Sequence, residues 1–175
     1  MNNNYQKKWR QLDIYLTDLH QGIVLIGDDS NEHHKFIDDY RTYFTLKQKM
    51  VYINFNQITD IKSLSECFLE QYAVLFESAP KYYDPENELG FLDFSVHLFS
   101  NTNDEEYTFI WLDNFTEVRH WETADYVYKI LRGTFQHQQN VVHIFTSHNM
   151  VEVANIFSDS DNPFYRFAVN IKIDE

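Results

Sequence analysis

Four short clusters in this 175-residue sequence hold side chains able to do chemistry. Gly27-Asp28-Asp29 follows the apolar run Ile23–Ile26. A glycine there frees backbone N–H groups to approach an anion, but the two carboxylates beside it oppose one. His33-His34 precedes Asp38-Asp39. His34 and Asp38 stand one helical turn apart and offer one nitrogen and one oxygen ligand; zinc needs three or four, and the ordinary reading is a solvated helix start. Asp113-Asn114 ends the run Phe109–Leu112 and reads either as a simple turn or as a functional pair at a strand end. Thr146-Ser147-His148 ends the run Val141–Phe145 and supplies two hydroxyls. No serine lies in a G-x-S-x-G pattern. Cys67 is the single cysteine, has no histidine at useful spacing, and reads as a buried thiol. His120, His137, His143 and His148 are scattered and read as surface or hydrogen-bonded structural residues.

Elements that would position these clusters alternate along the chain. Trp9, Leu12, Leu16 and Leu19 recur at helical spacing over residues 5–20, with Gly22 at the expected C-cap. Ile23–Ile26 reads as a buried strand ending at Gly27. A helix is expected over 33–47, carrying Phe36, Ile37, Tyr40, Tyr43 and Phe44, then a strand over Val51–Phe55. A second helix over 60–76 offers Ile61, Leu64, Cys67, Phe68 and Leu75 to a core. Pro80–Gly90, with two prolines, a glycine and three carboxylates, reads as a loop, and Phe91–Phe99 as a helix. Tyr107–Leu112 and Val141–Phe145 are apolar strands separated by a helical period over 121–135. A short helix over 150–157 and a strand over 167–173 follow. Strands apolar on both faces, alternating with helices, predict an α/β fold: a parallel sheet covered on both sides. Ligands of such sheets sit beyond the carboxyl ends of the strands, here Gly27-Asp28, Asn54, Asp113-Asn114 and Thr146-Ser147-His148.

Composition excludes several classes. Hydrophobic residues at 43% and charged residues at 23% suit one globular domain over 1–175. A lone cysteine precludes an internal disulfide and suits a reducing, cytoplasmic setting. The polar N-terminus has no apolar segment of signal-peptide length, and no apolar run reaches the ~20 residues of a membrane span. The net charge is −13. Eleven Asp/Glu and one Arg lie between Asp84 and Asp125, a stretch that repels phosphate backbones, so direct nucleic-acid binding is not expected. Aromatics at 17% are spread through every element without a basic groove, which points to core and interface. Only four glycines are present, a small stock for phosphate-binding loops.

In the order and spacing of its motifs the chain resembles the P-loop ATPases of the AAA+ and STAND group, the archaeal-type ATPases in particular. Ile23–Gly27 matches the first strand. Phe109-Ile110-Trp111-Leu112-Asp113-Asn114 matches the acidic strand, and Val142–His148 the polar sensor strand. Ile156–Ala168, containing Pro163-Phe164-Tyr165-Arg166, matches the family's closing Phe-x-x-x-x-x-Pro-x-Tyr-Gly-Arg-Ala stretch. The likeness spans about residues 5–173. It implies a three-layer α/β/α P-loop NTPase-like domain with a mainly parallel five-stranded sheet. A helical lid would follow the last strand in AAA+ proteins; none is expected here, because the sequence ends at Glu175.

The same resemblance implies lost chemistry. A working loop reads G-x-x-x-x-G-K-[ST]. Counted from Gly27 through Asp28, Asp29, Ser30 and Asn31, the second glycine, lysine and hydroxyl positions hold Glu32, His33 and His34. Lys35 lies two residues past the required place, roughly 200° around a helix. In the family the strand-end Asp holds Mg²⁺ through water and the next Glu polarises the attacking water. Asp113 keeps the first role in principle, whereas the Asn114 amide cannot act as a base. Thr146 and Ser147 stand at the sensor position. Arg166 stands where the family has glycine, and Phe167 where it has arginine. The expectation is a non-catalytic relative that binds a protein partner, with ATP and Mg²⁺ disfavoured as cofactors and a homo-oligomer compatible with side-by-side AAA+ assembly. Two alternatives stand beside it: a residual nucleotide-binding ATPase that needs a partner, and a replication-initiator-like AAA+ module.

Overall fold

The computed structural model describes residues 3–17, 22–26, 31–45, 49–78, 87–101, 107–147 and 149–172. The described elements are α1 (Asn3–Thr17), β1 (Gly22–Ile26), α2 (Asn31–Thr45), β2 (Lys49–Asn54), α3 (Ile61–Phe76), α4 (Glu88–His97), β3 (Thr108–Asp113), α5 (Ala124–Phe135), β4 (Val141–Ser147), α6 (Met150–Phe157) and β5 (Val169–Lys172). Short 3-10 turns follow β2, α4 and β3.

All four strand pairings are parallel, in the order β2-β3-β4-β1-β5. The chain leaves β1 for the far edge and returns through β3 and β4. It then passes over β1 to β5, so β1 and β4 flank the point where the winding reverses. Every residue of β4 is buried, and five of the six in β3, as a parallel sheet covered on both faces requires. Strand alternation sends Phe109, Trp111, Val142 and Ile144 to one face, against Trp9, Leu12, Phe36 and Tyr40 of α1 and α2. It sends Ile110, Leu112 and Phe145 to the other, against α3–α6. The expected three-layer α/β/α architecture and parallel five-stranded sheet are what the chain forms.

Many of the aromatics are core. Phe164, fully buried, has ring neighbours Phe115, Tyr128, Phe135, Phe145, Phe157 and Phe167, all with centroids 5.2–6.3 Å away. Most are edge-on, the arrangement the ring quadrupole favours. His143 is buried in this layer, stacked 3.9 Å from Phe135, with Nε2 2.8 Å from Gln138 Oε1. It is a satisfied structural residue. His120 and His137 are on the surface, and His148 lies outside the described residues. The Cys67 thiol is half-buried.

Several boundaries differ from the expected ones. Gly22 does not cap α1; it opens β1, with φ outside the left-handed region. Its need is steric: a Cβ there would lie 3.0 Å from the Phe167 ring and from Ala168 Cβ. Gly90 lies inside α4, not in a loop, because Asn87 starts that helix by accepting from Leu89 N and Gly90 N. Residues 115–120 form a 3-10 turn ahead of α5, so the helix expected from 121 starts at Ala124. Asp60 caps α3 through a reciprocal bond pair with Ser63. The match at the closing stretch has a backbone signature: Arg166, at the family's glycine position, has φ 54°. Its N–H donates to Phe157 O at 3.1 Å.

Candidate functional site

The carboxyl ends of the strands bring two of the four clusters, Asp113-Asn114 and Thr146-Ser147, into one row with Asn54. Register aligns Asn54 with Asp113 and Asp113 with Thr146; Ile26 of β1 aligns with Ser147. Gly27, Asp28, Asp29 and Ser30 lie outside the described residues. Asn31, Glu32, His33 and His34 form the first turn of α2, the next described element after the interior strand β1. That is the place of a phosphate loop and its helix, since a helix start presents unpaired N–H groups and positive dipole. Lys35 is exposed. Among the described residues no group of three or more His, Cys, Asp or Glu could hold a metal ion, and Asp38 is exposed.

Asp113 is the centre of the row. Its Oδ1 accepts from the Thr146 hydroxyl at 2.6 Å and from Asn114 N at 3.0 Å. Its Oδ2 accepts from the Tyr52 hydroxyl at 2.7 Å. Thr146 is oriented from behind, because its Oγ1 accepts the indole N–H of the fully buried Trp111 at 3.0 Å. Tyr52 comes from β2, two residues before Asn54, so the same face of the sheet presents both. The Arg41 guanidinium of α2 lies over the Tyr52 ring, 4.0 Å from its centroid. Burial, followed by the bond to Asp113, pushes the Tyr52 phenol well above its ordinary value, which keeps it a proton donor at neutral pH.

Asn114 stands at the position where a general base would follow. Its backbone is left-handed, φ 53° and ψ 39°, a conformation asparagine tolerates better than most residues. Its Nδ2 donates to Asn54 Oδ1 at 3.1 Å, and the same oxygen accepts Asn56 N at 3.0 Å. The side chain thus brackets the ends of β2 and β3. Ser147 is buried, with its hydroxyl 3.0 Å from Thr116 Oγ1 and accepting Asn149 N at 3.1 Å, which fixes the turn into α6. Of the expected site residues, then, Asp113, Asn114, Thr146 and the strand-end Asn54 share one hydrogen-bonded row, while Ser147 bonds instead to Thr116 and Asn149. Tyr52, Trp111 and Arg41 join the row unannounced. Period-two placement put Tyr52 and Asn54 on one face, but only the register of β2 against β3 puts them beside Asp113.

No family model matches this chain, and no curated protein matches its sequence. Solved structures share its fold. The chain is similar to the ORC2 protein of Aeropyrum pernix, with TM-score 0.64 and 12% identity, covering 95% of this chain and 46% of that one. A Walker-type ATPase of Pyrococcus abyssi gives TM-score 0.61 at 11% identity, covering 95% and 52%. The Aeropyrum pernix ORC1 protein, solved in complex with DNA, gives 0.60 at 11%, covering 96% and 44%. The chain therefore spans about half the length of these proteins. At these identities the likeness is one of fold: this chain forms a three-layer α/β domain with a parallel five-stranded sheet similar to that of these ATPase and ORC structures.

Proposed function

We propose that this chain is a non-catalytic AAA+-like domain that acts as a protein-interaction or regulatory module. The observation that carries the reading is Asn114. A hydrolytic site needs a proton acceptor after the strand-end aspartate, and an amide has none to offer near neutrality. This amide is also committed as a donor to Asn54, 7% exposed and held in a left-handed backbone. The sequence at the loop supports the same reading: Glu32, His33 and His34 replace the glycine, lysine and hydroxyl that cradle phosphates. Calorimetric titration with Mg-ATP, paired with a phosphate-release assay, is the test. No saturable binding and no turnover are expected. Micromolar binding with hydrolysis that disappears in Asp113→Ala would refute the proposal.

A second reading has one observation in its favour, the fold shared with ORC proteins, one of them solved in complex with DNA. On that reading the domain is a module of an initiator-like assembly, its partners being other chains of that assembly or a second copy of itself. Among the described residues no helix is long and apolar enough to cross a membrane. A net charge of −13 opposes direct contact with a phosphate backbone. A gel shift with duplex DNA across a salt series separates the two, since contact would weaken steeply as salt rises. Sedimentation of the free chain reports self-association.

A further inference from the structure

A hydrated Mg²⁺ held by Asp113 would need the carboxylate lone pairs that face away from the backbone, because Mg²⁺ keeps its waters and binds through them. A carboxylate has about four such positions. Three are filled within the protein: two on Oδ1, by Thr146 and Asn114 N, and one on Oδ2, by Tyr52. The two hydroxyl bonds, at 2.6 and 2.7 Å, are as short as charge-assisted bonds become. The donors are themselves fixed. Thr146 receives the Trp111 indole N–H, so its own proton is directed at Asp113. Tyr52 is half-buried, with its ring beneath the Arg41 guanidinium. Protein donors thus occupy three of the about four positions, Tyr52 among them on Oδ2, and leave a hydrated cation at most one.

We infer that Asp113 is a structural hub, with the Tyr52 hydroxyl in the position beside Oδ2 that a metal-bound water would take, and that it ties the ends of β2, β3 and β4 together. The bonds reach it from three strands: Tyr52 from β2, Thr146 from β4, and the residue that continues β3 itself. This goes beyond the loss of a general base, and it stands whether or not the chain binds a protein partner. Nucleotide docking without metal would also leave it intact.

The test uses Mn²⁺ alone, without nucleotide, on the full chain and on Tyr52→Phe, Asp113→Asn and the double variant. Tyr52→Phe removes one oxygen and keeps the ring, so the protein stays folded while the bond is lost. The expected fall in Tm is roughly 4–10 °C, the scale of one hydrogen bond to a charge in a domain of this size. Asp113→Asn is expected to fall at least as far, and the double variant little further, because both substitutions break the same bond. Millimolar Mn²⁺ is expected to leave the wild-type Tm unchanged and to show no Asp113-dependent binding by electron paramagnetic resonance. Mn²⁺ binding that Asp113→Asn abolishes, an unchanged Tm in Tyr52→Phe, or additive losses would each overturn the inference. Failure of the partner-binding reading would appear instead in the Mg-ATP titration.

Discussion

Asn114→Glu reinstates the residue type that a hydrolase of this fold would use, and the structure predicts that it damages the protein without restoring catalysis. Three costs are worked from the geometry. Glutamate at φ 53° loses the tolerance asparagine has there, about 1 kcal/mol. The Nδ2 bond to Asn54 Oδ1 disappears, about 1 kcal/mol more. A second carboxylate next to Asp113, at a position 7% exposed, adds like-charge repulsion of up to about 1 kcal/mol. The sum is about 2–3 kcal/mol, a drop of roughly 5–10 °C in Tm for a domain of this length. Asn114→Gly separates the terms, since it relieves the backbone and removes the side-chain bond without adding charge. Thermal unfolding measures the cost, and a phosphate-release assay with Mg-ATP measures any gain. An unchanged Tm, or turnover above the Asp113→Ala background, would refute the reasoning that position 114 is set by backbone conformation and strand bracketing.

Other consequences are open to direct measurement. Phe164→Ala removes a fully buried ring that touches six others and is expected to cost about 3–5 kcal/mol, enough to unfold a marginal domain near 37 °C; chemical denaturation would reveal it as a lowered midpoint. Asp60→Ala removes the cap of α3 and should cost about 1 kcal/mol at neutral pH. Bonds from Ser63 hold the Asp60 carboxyl below its ordinary value, so the stabilisation is present above the unfolded pKa near 4 and is lost as pH falls through the folded one. The Tm gap between wild type and Asp60→Ala should therefore narrow below about pH 4; a constant gap would exclude an ionised cap.

Physical reasons divide what the sequence shows from what it hides. Runs such as Thr108–Leu112 and Val141–Phe145, apolar at all but one position each, already announce strands buried on both faces, and their alternation with helical periods announces a parallel sheet. That places Asp113 and Thr146 at strand ends and the 27–34 segment at the passage from β1 into the first turn of α2. The residue types at Glu32, His33, His34 and Asn114, on which the proposed loss of catalysis rests, are legible too, because motif chemistry is a matter of residue type at fixed spacing. Helix boundaries at Gly22 and Gly90 are not. A glycine can serve as a C-cap, a close contact or a helix residue, and only the Phe167 ring 3.0 Å from a would-be Cβ identifies which role Gly22 plays.

Sequence alone therefore determines the fold class, which residues end the strands and which residue types fill the 27–34 segment, since these follow from local pattern. Tertiary structure decides which side chains meet. Tyr52 and Asp113 are 61 residues apart, and Trp111 and Thr146 are 35 apart; each pair is joined by strand register, which no local pattern encodes. Register makes Asp113 the knot of three strands, because a carboxylate accepts whichever donors the neighbouring strands bring within reach.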